Sequence, residues 1–294
     1  MRKQGWRGAA RRALISRNFS AWRACYLCPP NGERERKPNV TIISDPLFYL
    51  LAVPAVVALG MSKGGFAGVG QMATPMLALV IPPLEAAAIM LPIMIIQDAS
   101  AVWVYRKDWN GRILSIVIPG GIAGVAAGGL LAAHISEAAV RVFIGCTTIA
   151  FVLYSWIGPQ RIARAAHQAS VAAGLFWGGL SGFTSTIAQA GGPPYQMYVL
   201  SLKLPKMTFV GTSAIFFATM NWLKVVPYFA LGQFSTKGLG TSLALLPLAI
   251  ATNQLGFYLV RRVSQEPFYR ITLIVMFLIS LELVREGLTK ILAG

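Results

Sequence analysis

Met61-Ser62-Lys63-Gly64-Gly65-Phe66-Ala67-Gly68-Val69-Gly70-Gln71, running on to Pro75, is apolar sequence too long for a loop and too broken for one regular helix. About 120 residues later, Leu180-Ser181-Gly182-Phe183-Thr184-Ser185-Thr186-Ile187-Ala188-Gln189 continues through Gly191-Gly192-Pro193-Pro194 with the same character. Two consecutive prolines cannot sit in a helix interior without loss of hydrogen bonds, so the second stretch must be interrupted. In a bilayer such a break frees backbone groups that hydrocarbon cannot satisfy, and it is tolerated where it lines a cavity or contacts a ligand. Two such breaks point to a transporter with two related halves.

The remainder of the chain supplies the membrane. The 294 residues are 55% hydrophobic and 12% charged, against about 25% charged in soluble domains. Charge-free runs cover 113–133, 142–160, 168–202 and 238–260, each long enough for a crossing of roughly 20 helical residues. The chain lacks the alternating ten-residue strands of a membrane β-barrel, so an all-α polytopic bundle is expected. Although the net charge is +16, ten of the 26 Lys and Arg lie in the first 37 residues, and most of the others fall in short loops. Loop cations act as orientation signals, so no nucleic-acid surface is implied.

Residues 1–41 differ from the rest: they are Arg-rich, acid-poor and without an apolar h-region, which disfavours a secretory signal. They read as a disordered arm, a mitochondrial-type presequence, or an artefact ahead of a true start near Val40. Cys25 and Cys28 form a lone C-x-x-C with no second pair and no nearby histidine, so no metal is expected. Cys146 reads as a small packing residue in a membrane helix.

The two halves overlay. Gly65-Phe66 matches Gly182-Phe183, Pro75 matches Pro193, Pro83 matches Pro205, and later Pro119, Gly128 and Ser136 match Pro247, Gly256 and Ser264. The spacing predicts a broken hairpin over 46–82, then helices at 84–105, 113–133 and 138–157. It predicts a second hairpin over 168–202, then helices at 206–231, 239–262 and 267–289. The repeats thus occupy 45–158 and 168–290. Arg106, Lys107 and Arg112 mark one cytoplasmic loop, Arg161 and Arg164 another, and the short turn at 134–137 is external. That turn's counterpart around Arg261, Arg262 and Arg270 is strongly basic and internal, so the repeats are inverted, with both ends of the core outside.

Candidate site residues cluster at the breaks. Lys63 stands alone among charges between Asp45 and Glu85, and it either attracts an anion beside the amides of Gly64, Gly65 and Gly68 or snorkels to the surface. Ser62, Gln71 and Thr74 add polar groups at the first break. Ser181, Gly182, Thr184, Ser185, Thr186, Gln189, Gly191 and Gly192 do so at the second, serving a ligand or gluing helices together. Asp98 is the candidate for ion coupling or for a structural pairing with Lys63 or Lys224. Asn221 and Lys224 lie on the equivalent helix of the other half. Glu85, Lys206 and Glu282 read as interfacial. Gly68-Val69-Gly70-Gln71-Met72-Ala73 fits a loose G-x-G-x-x-A pattern without βαβ context. No P-loop, zincin or nucleophile-elbow motif is present, so neither an enzyme nor a cofactor is expected.

Taken together, Gly60-Met61-Ser62-Lys63-Gly64-Gly65-Phe66, Pro75, Pro82-Pro83-Leu84-Glu85-Ala86-Ala87-Ala88, Leu91-Pro92 with Asp98, Gly179-Leu180-Ser181-Gly182-Phe183 and Gly191-Gly192-Pro193-Pro194 resemble the sulfite exporter TauE/SafE family of membrane permeases. The resemblance covers about 45–290; the tail before Val40 departs from it. It implies movement of a small anion such as sulfite, sulfoacetate or another organosulfonate across the plasma membrane, in bacteria the inner membrane. The expected partners are that anion and lipid, with homo-oligomerisation open. An anion channel and a non-transporting assembly or sensor protein are the alternatives.

Overall fold

Prolines and side-chain caps set the helix starts. In the computed structural model, which describes residues 42–63, 69–157, 170–259 and 266–293, α1 is Pro46–Lys63, followed by a 3-10 turn at Val69–Met72 and the short α2, Ala73–Ala78. Next come α3 (Pro83–Val104), α4 (Gly111–Ala132) and α5 (Glu137–Ile157). The second half repeats the order as α6 (Val171–Ala188), α7 (Gly192–Ser201), α8 (Lys206–Ala230), α9 (Thr236–Leu259) and α10 (Glu266–Ala293). Expectations on the 1–41 tail, Cys25, Cys28, Gly64, Gly65, Gly68, Arg161, Arg164, Arg261, Arg262 and Ser264 lie outside the described residues.

Asn110 Oδ1 accepts from the Ile113 amide at 3.1 Å to cap α4, and Ser170 Oγ accepts from Ala173 at 3.5 Å to cap α6. These caps satisfy amides that the first turn leaves free. Pro82 (φ −53°, ψ 137°) and Pro205 (φ −52°, ψ 143°) hold the same extended conformation ahead of α3 and α8. Pro82 and Pro205 thus hold the same place ahead of their helices, 205 − 82 = 123 residues apart. Seven of the described helices are long and apolar enough to span a bilayer, and no strand occurs among the described residues. The chain is a multi-pass α-helical membrane protein.

The main interfaces come in reciprocal pairs: α4 lies along α6 and α9 along α1, while α8 packs on α4 as α9 packs on α3. α1, α3 and α9 run in one direction, as Ile43 meets Thr241, Ile89 meets Ser242 and Gln97 meets Ala249. α4, α6 and α8 run together in another, with Gly120 beside Leu175, Gly128 beside Thr186, Gly121 beside Met220 and Gly129 beside Pro227.

These two groups are antiparallel. Ahead of the Asp98–Asn221 hydrogen bond, Ala87, Ala88 and Leu91 of α3 pack with Tyr228 of α8. Beyond it, Ala101 and Tyr105 pack with Ala214. α5 and α10 are also antiparallel: Gly145 packs on Val284 and Gly287 on Val142.

Glycines bring α4 and α6 together backbone to backbone. A Cβ at Gly124 would stand 1.9 Å from the Gly179 carbonyl oxygen, and one at Gly182 would stand 2.2 Å from that of Gly121. Close approach of this kind is what small residues permit between membrane helices. Cys146, expected to pack, is instead an exposed free thiol on α5.

Candidate functional site

Asp98 and Asn221 mark the centre of the protein. Each lies 15 residues into its helix (98 − 83 and 221 − 206), about 22 Å at 1.5 Å per residue. Because α3 and α8 are antiparallel and cross there, the crossing has about 22 Å of helix on either side, matching the 40–45 Å of a bilayer with its headgroups. The two residues also share the 123-residue spacing (221 − 98) of the prolines ahead of their helices.

Both breaks reach this level from opposite faces. α1 ends at Lys63, whose ammonium donates to Asp98, and α2 then returns to the four-residue turn before α3. α6 ends where Gln189 takes a left-handed conformation, φ 53°, and its amide donates to the Ser185 carbonyl at 3.1 Å. α7 then returns to the turn before α8, with Pro193 and Pro194 in its first turn, where a missing amide costs little.

Asp98 is 1% exposed and accepts from the Lys63 ammonium and the Asn221 amide. Of the two pairings open in the sequence, the structure shows the one with Lys63. Lys63 is 13% exposed and faces a cavity. Lys224 is fully buried; its ammonium donates to Gln189 Oε1, to Ser185 Oγ at 3.0 Å and to the Ser185 carbonyl at 3.4 Å. Among the described residues Lys224 has no carboxylate within ion-pair distance. Two lysines and one aspartate thus lie near the crossing.

The cavity, about 130 Å³, joins both breaks. The first contributes Leu59, Ser62, Lys63, Gly70 and Gln71; the second contributes Ser185, Gln189, Gly191 and Gly192. Tyr195 and Gln196 of α7 and Met94 and Ala101 of α3 complete two walls. The remaining wall is one face of α8: Phe209, Val210, Ser213, Ala214 and Phe217. Gln71 and Gln189 each stand four residues ahead of the matched prolines, Pro75 and Pro193. Gly192 touches Gln71, since a Cβ there would lie 2.1 Å from Gln71 Nε2.

All five α8 residues precede Asn221, so the cavity lies on the side where α8 begins and α3 ends. The opposite side is packed: Tyr228 is 1% exposed and donates to the Thr186 carbonyl at 2.8 Å. Tyr105 and Tyr228 occupy equivalent places, each seven residues past its crossing residue (105 − 98 and 228 − 221).

Several expected site residues have other work. Gly182 faces α4, and Thr186 bonds to the Gly182 carbonyl at 2.9 Å beside Gly128, so both serve the α4–α6 contact. Ser181 donates to Gly191 at 2.6 Å, while Thr184 donates to Leu180 at 2.8 Å and to Ala190 at 3.1 Å; both hydroxyls tie the second break to α6. Thr74 is buried in α2 away from the cavity lining. Of the interfacial residues, Glu85 is half-buried in the first turn of α3, and Glu282 is exposed and paired with Arg285.

Arg141 was not legible beforehand. It is 5% exposed on α5, donates to the Ala78 carbonyl that ends α2 and to the Ile81 carbonyl in the following turn, and pairs with Glu286 of α10 at 3.2 Å. A cation suits a helix C-terminus, so Arg141 fastens the returning arm of the first hairpin to the α5–α10 pair. The α8 wall and Tyr195 were also missed, because aromatics in a membrane helix carry no local mark of facing a cavity.

The family model described as Sulfite exporter TauE/SafE matches residues 51–283. No match was found among curated proteins or among solved structures.

Proposed function

This chain belongs to the sulfite exporter TauE/SafE family, and on that premise we propose that it carries a small anion across the plasma membrane by alternating access. The observation that carries this reading is one cavity at the helix crossing, lined by both breaks and closed on one side. Lys63 faces that cavity, and the buried Lys224 lies directly behind Gln189 and Ser185. Lys63 gives the cavity a cation at a depth where a charge requires a partner, and an anion can supply one. Sulfite, sulfoacetate and other organosulfonates fit that requirement.

Inverted repeats of 45–158 and 168–290 support the cycle. Reciprocal interfaces, antiparallel equivalent helices and the Asp98–Asn221 meeting all favour a two-fold relation in the membrane plane. Arg106, Lys107 and Arg112 lie at the end where the cavity is found, so the positive-inside rule makes this a cytoplasm-facing state. The Tyr228 cluster would then be the external gate, and Tyr105 its counterpart on the cytoplasmic side. A packed gate favours alternating access over an open channel. An anion seated on Lys63 competes with Asp98 for one ammonium, and ion coupling would run through that competition.

The test is flux into proteoliposomes. Saturable movement of sulfite or a sulfonate supports the reading; a panel of small anions showing none, with or without a pH gradient, refutes it.

A further inference from the structure

The α8 wall of the cavity differs in chemistry from the polar groups at the helix crossing. Positions 209, 210, 213, 214 and 217 fall on one helical face, and four of the five are apolar. Phe209 and Phe217 are eight residues apart (217 − 209), about 12 Å along the helix. Tyr195 extends this surface across to α7: its ring packs edge-on against Phe217 at 5.2 Å and stacks on Phe216 at 4.6 Å. Leu59 and Met94 add further apolar lining.

The polar groups are placed differently. Lys63, Ser185 and Gln189 gather at the helix crossing through their contacts with Asp98 and Lys224. Phe217 lies four residues before Asn221 and Phe209 lies twelve before it, so the apolar face runs from that polar end toward the start of α8. A bare inorganic oxyanion has hydrogen-bond acceptors on every side and gains nothing from such a wall. Binding sites for organic ligands show the opposite division: apolar walls and a few convergent polar groups that fix orientation.

We propose that the transported anion is an organic monoanion with a short apolar or aryl tail, its charged head at Lys63, Gln71 and Gln189 and its tail along Phe217, Ala214, Val210 and Phe209. This rests on the anion-transport reading and narrows it. The head group sets the depth of binding, and the tail contact discriminates among anions that share the head. Desolvating the tail against these side chains supplies affinity that sulfite cannot draw on.

The experiment measures binding of methane-, ethane-, butane- and benzenesulfonate, with sulfite as the tail-less reference, to the purified full-length protein by thermal shift and equilibrium competition. Affinity should rise about fourfold per added methylene, giving about sixtyfold from methane- to butanesulfonate. Phe217→Ser, and separately Val210→Thr as the milder change, should flatten that ratio to tenfold or less. Equal affinity along the series, or affinity falling with tail length while sulfite still binds, overturns the proposal and leaves the anion reading standing. Failure of every anion to bind overturns both.

Discussion

Replacing Lys63 by Met and Asp98 by Asn together should destabilise the protein by clearly less than the sum of the two single replacements. Asp98 is 1% exposed and accepts from two groups, the Lys63 ammonium and the Asn221 amide. Lys63→Met removes the countercharge and leaves a buried carboxylate with the neutral amide, a loss of about 3–5 kcal/mol for a broken buried pair. Asp98→Asn leaves an ammonium at the cavity wall, where water can reach it, so its cost should be smaller, about 1–3 kcal/mol. In Lys63→Met with Asp98→Asn, two amides face each other at the helix crossing and no charge is stranded. The double variant should therefore recover about 2 kcal/mol relative to the sum of the single changes, within the range seen for residues in direct contact. Detergent-titrated unfolding of the four proteins, followed by tryptophan fluorescence, measures this cycle. Additive losses would show that the ion pair does not hold the first break to the crossing.

Glycine substitutions should divide by what their Cβ meets. Gly124→Ala places a methyl 1.9 Å from the Gly179 carbonyl and should abolish accumulation of folded protein, whereas Gly179→Ala, with 3.4 Å to its nearest neighbour, should be tolerated in the same expression assay. Gly192→Ala meets the free end of Gln71, so folding should persist while anion affinity falls several-fold by competition binding. Gly191→Ala meets the Ser181 carbonyl at 2.7 Å and should lower thermal stability instead. Tyr228→Ala should open the packed side: in a background without native cysteines, Ala88→Cys should react with an impermeant thiol reagent from outside faster in this variant than with Tyr228 intact.

The helix order was legible because proline and glycine act locally. Pro82, Pro205 and the Gly191–Pro194 run punctuate the chain wherever they fall. Lys63 and Asp98 were legible as a candidate pair for a related reason: a charge in apolar sequence demands a partner. What the sequence hid depends on distant packing. Gly182 looked like part of a ligand break, yet the α4 backbone beside it lies some sixty residues away in the chain, and its role appears only at the 2.2 Å approach to Gly121. The hydroxyls of Ser181 and Thr184 likewise looked free for a ligand until their acceptors within the second break were seen. Arg141 carries no mark of its role in the local sequence, because its acceptors at Ala78 and Ile81 are some sixty residues upstream. The one-sidedness of the cavity depends on how side chains of distant helices pack on either side of the α3–α8 crossing, which no local motif encodes.

Trans-acceleration is the most direct test of a single site presented alternately to the two sides. Proteoliposomes preloaded with unlabelled sulfonate should take up labelled sulfonate faster than empty ones, with saturation at high external concentration. Uptake that rises linearly with concentration and ignores the internal anion would contradict the account.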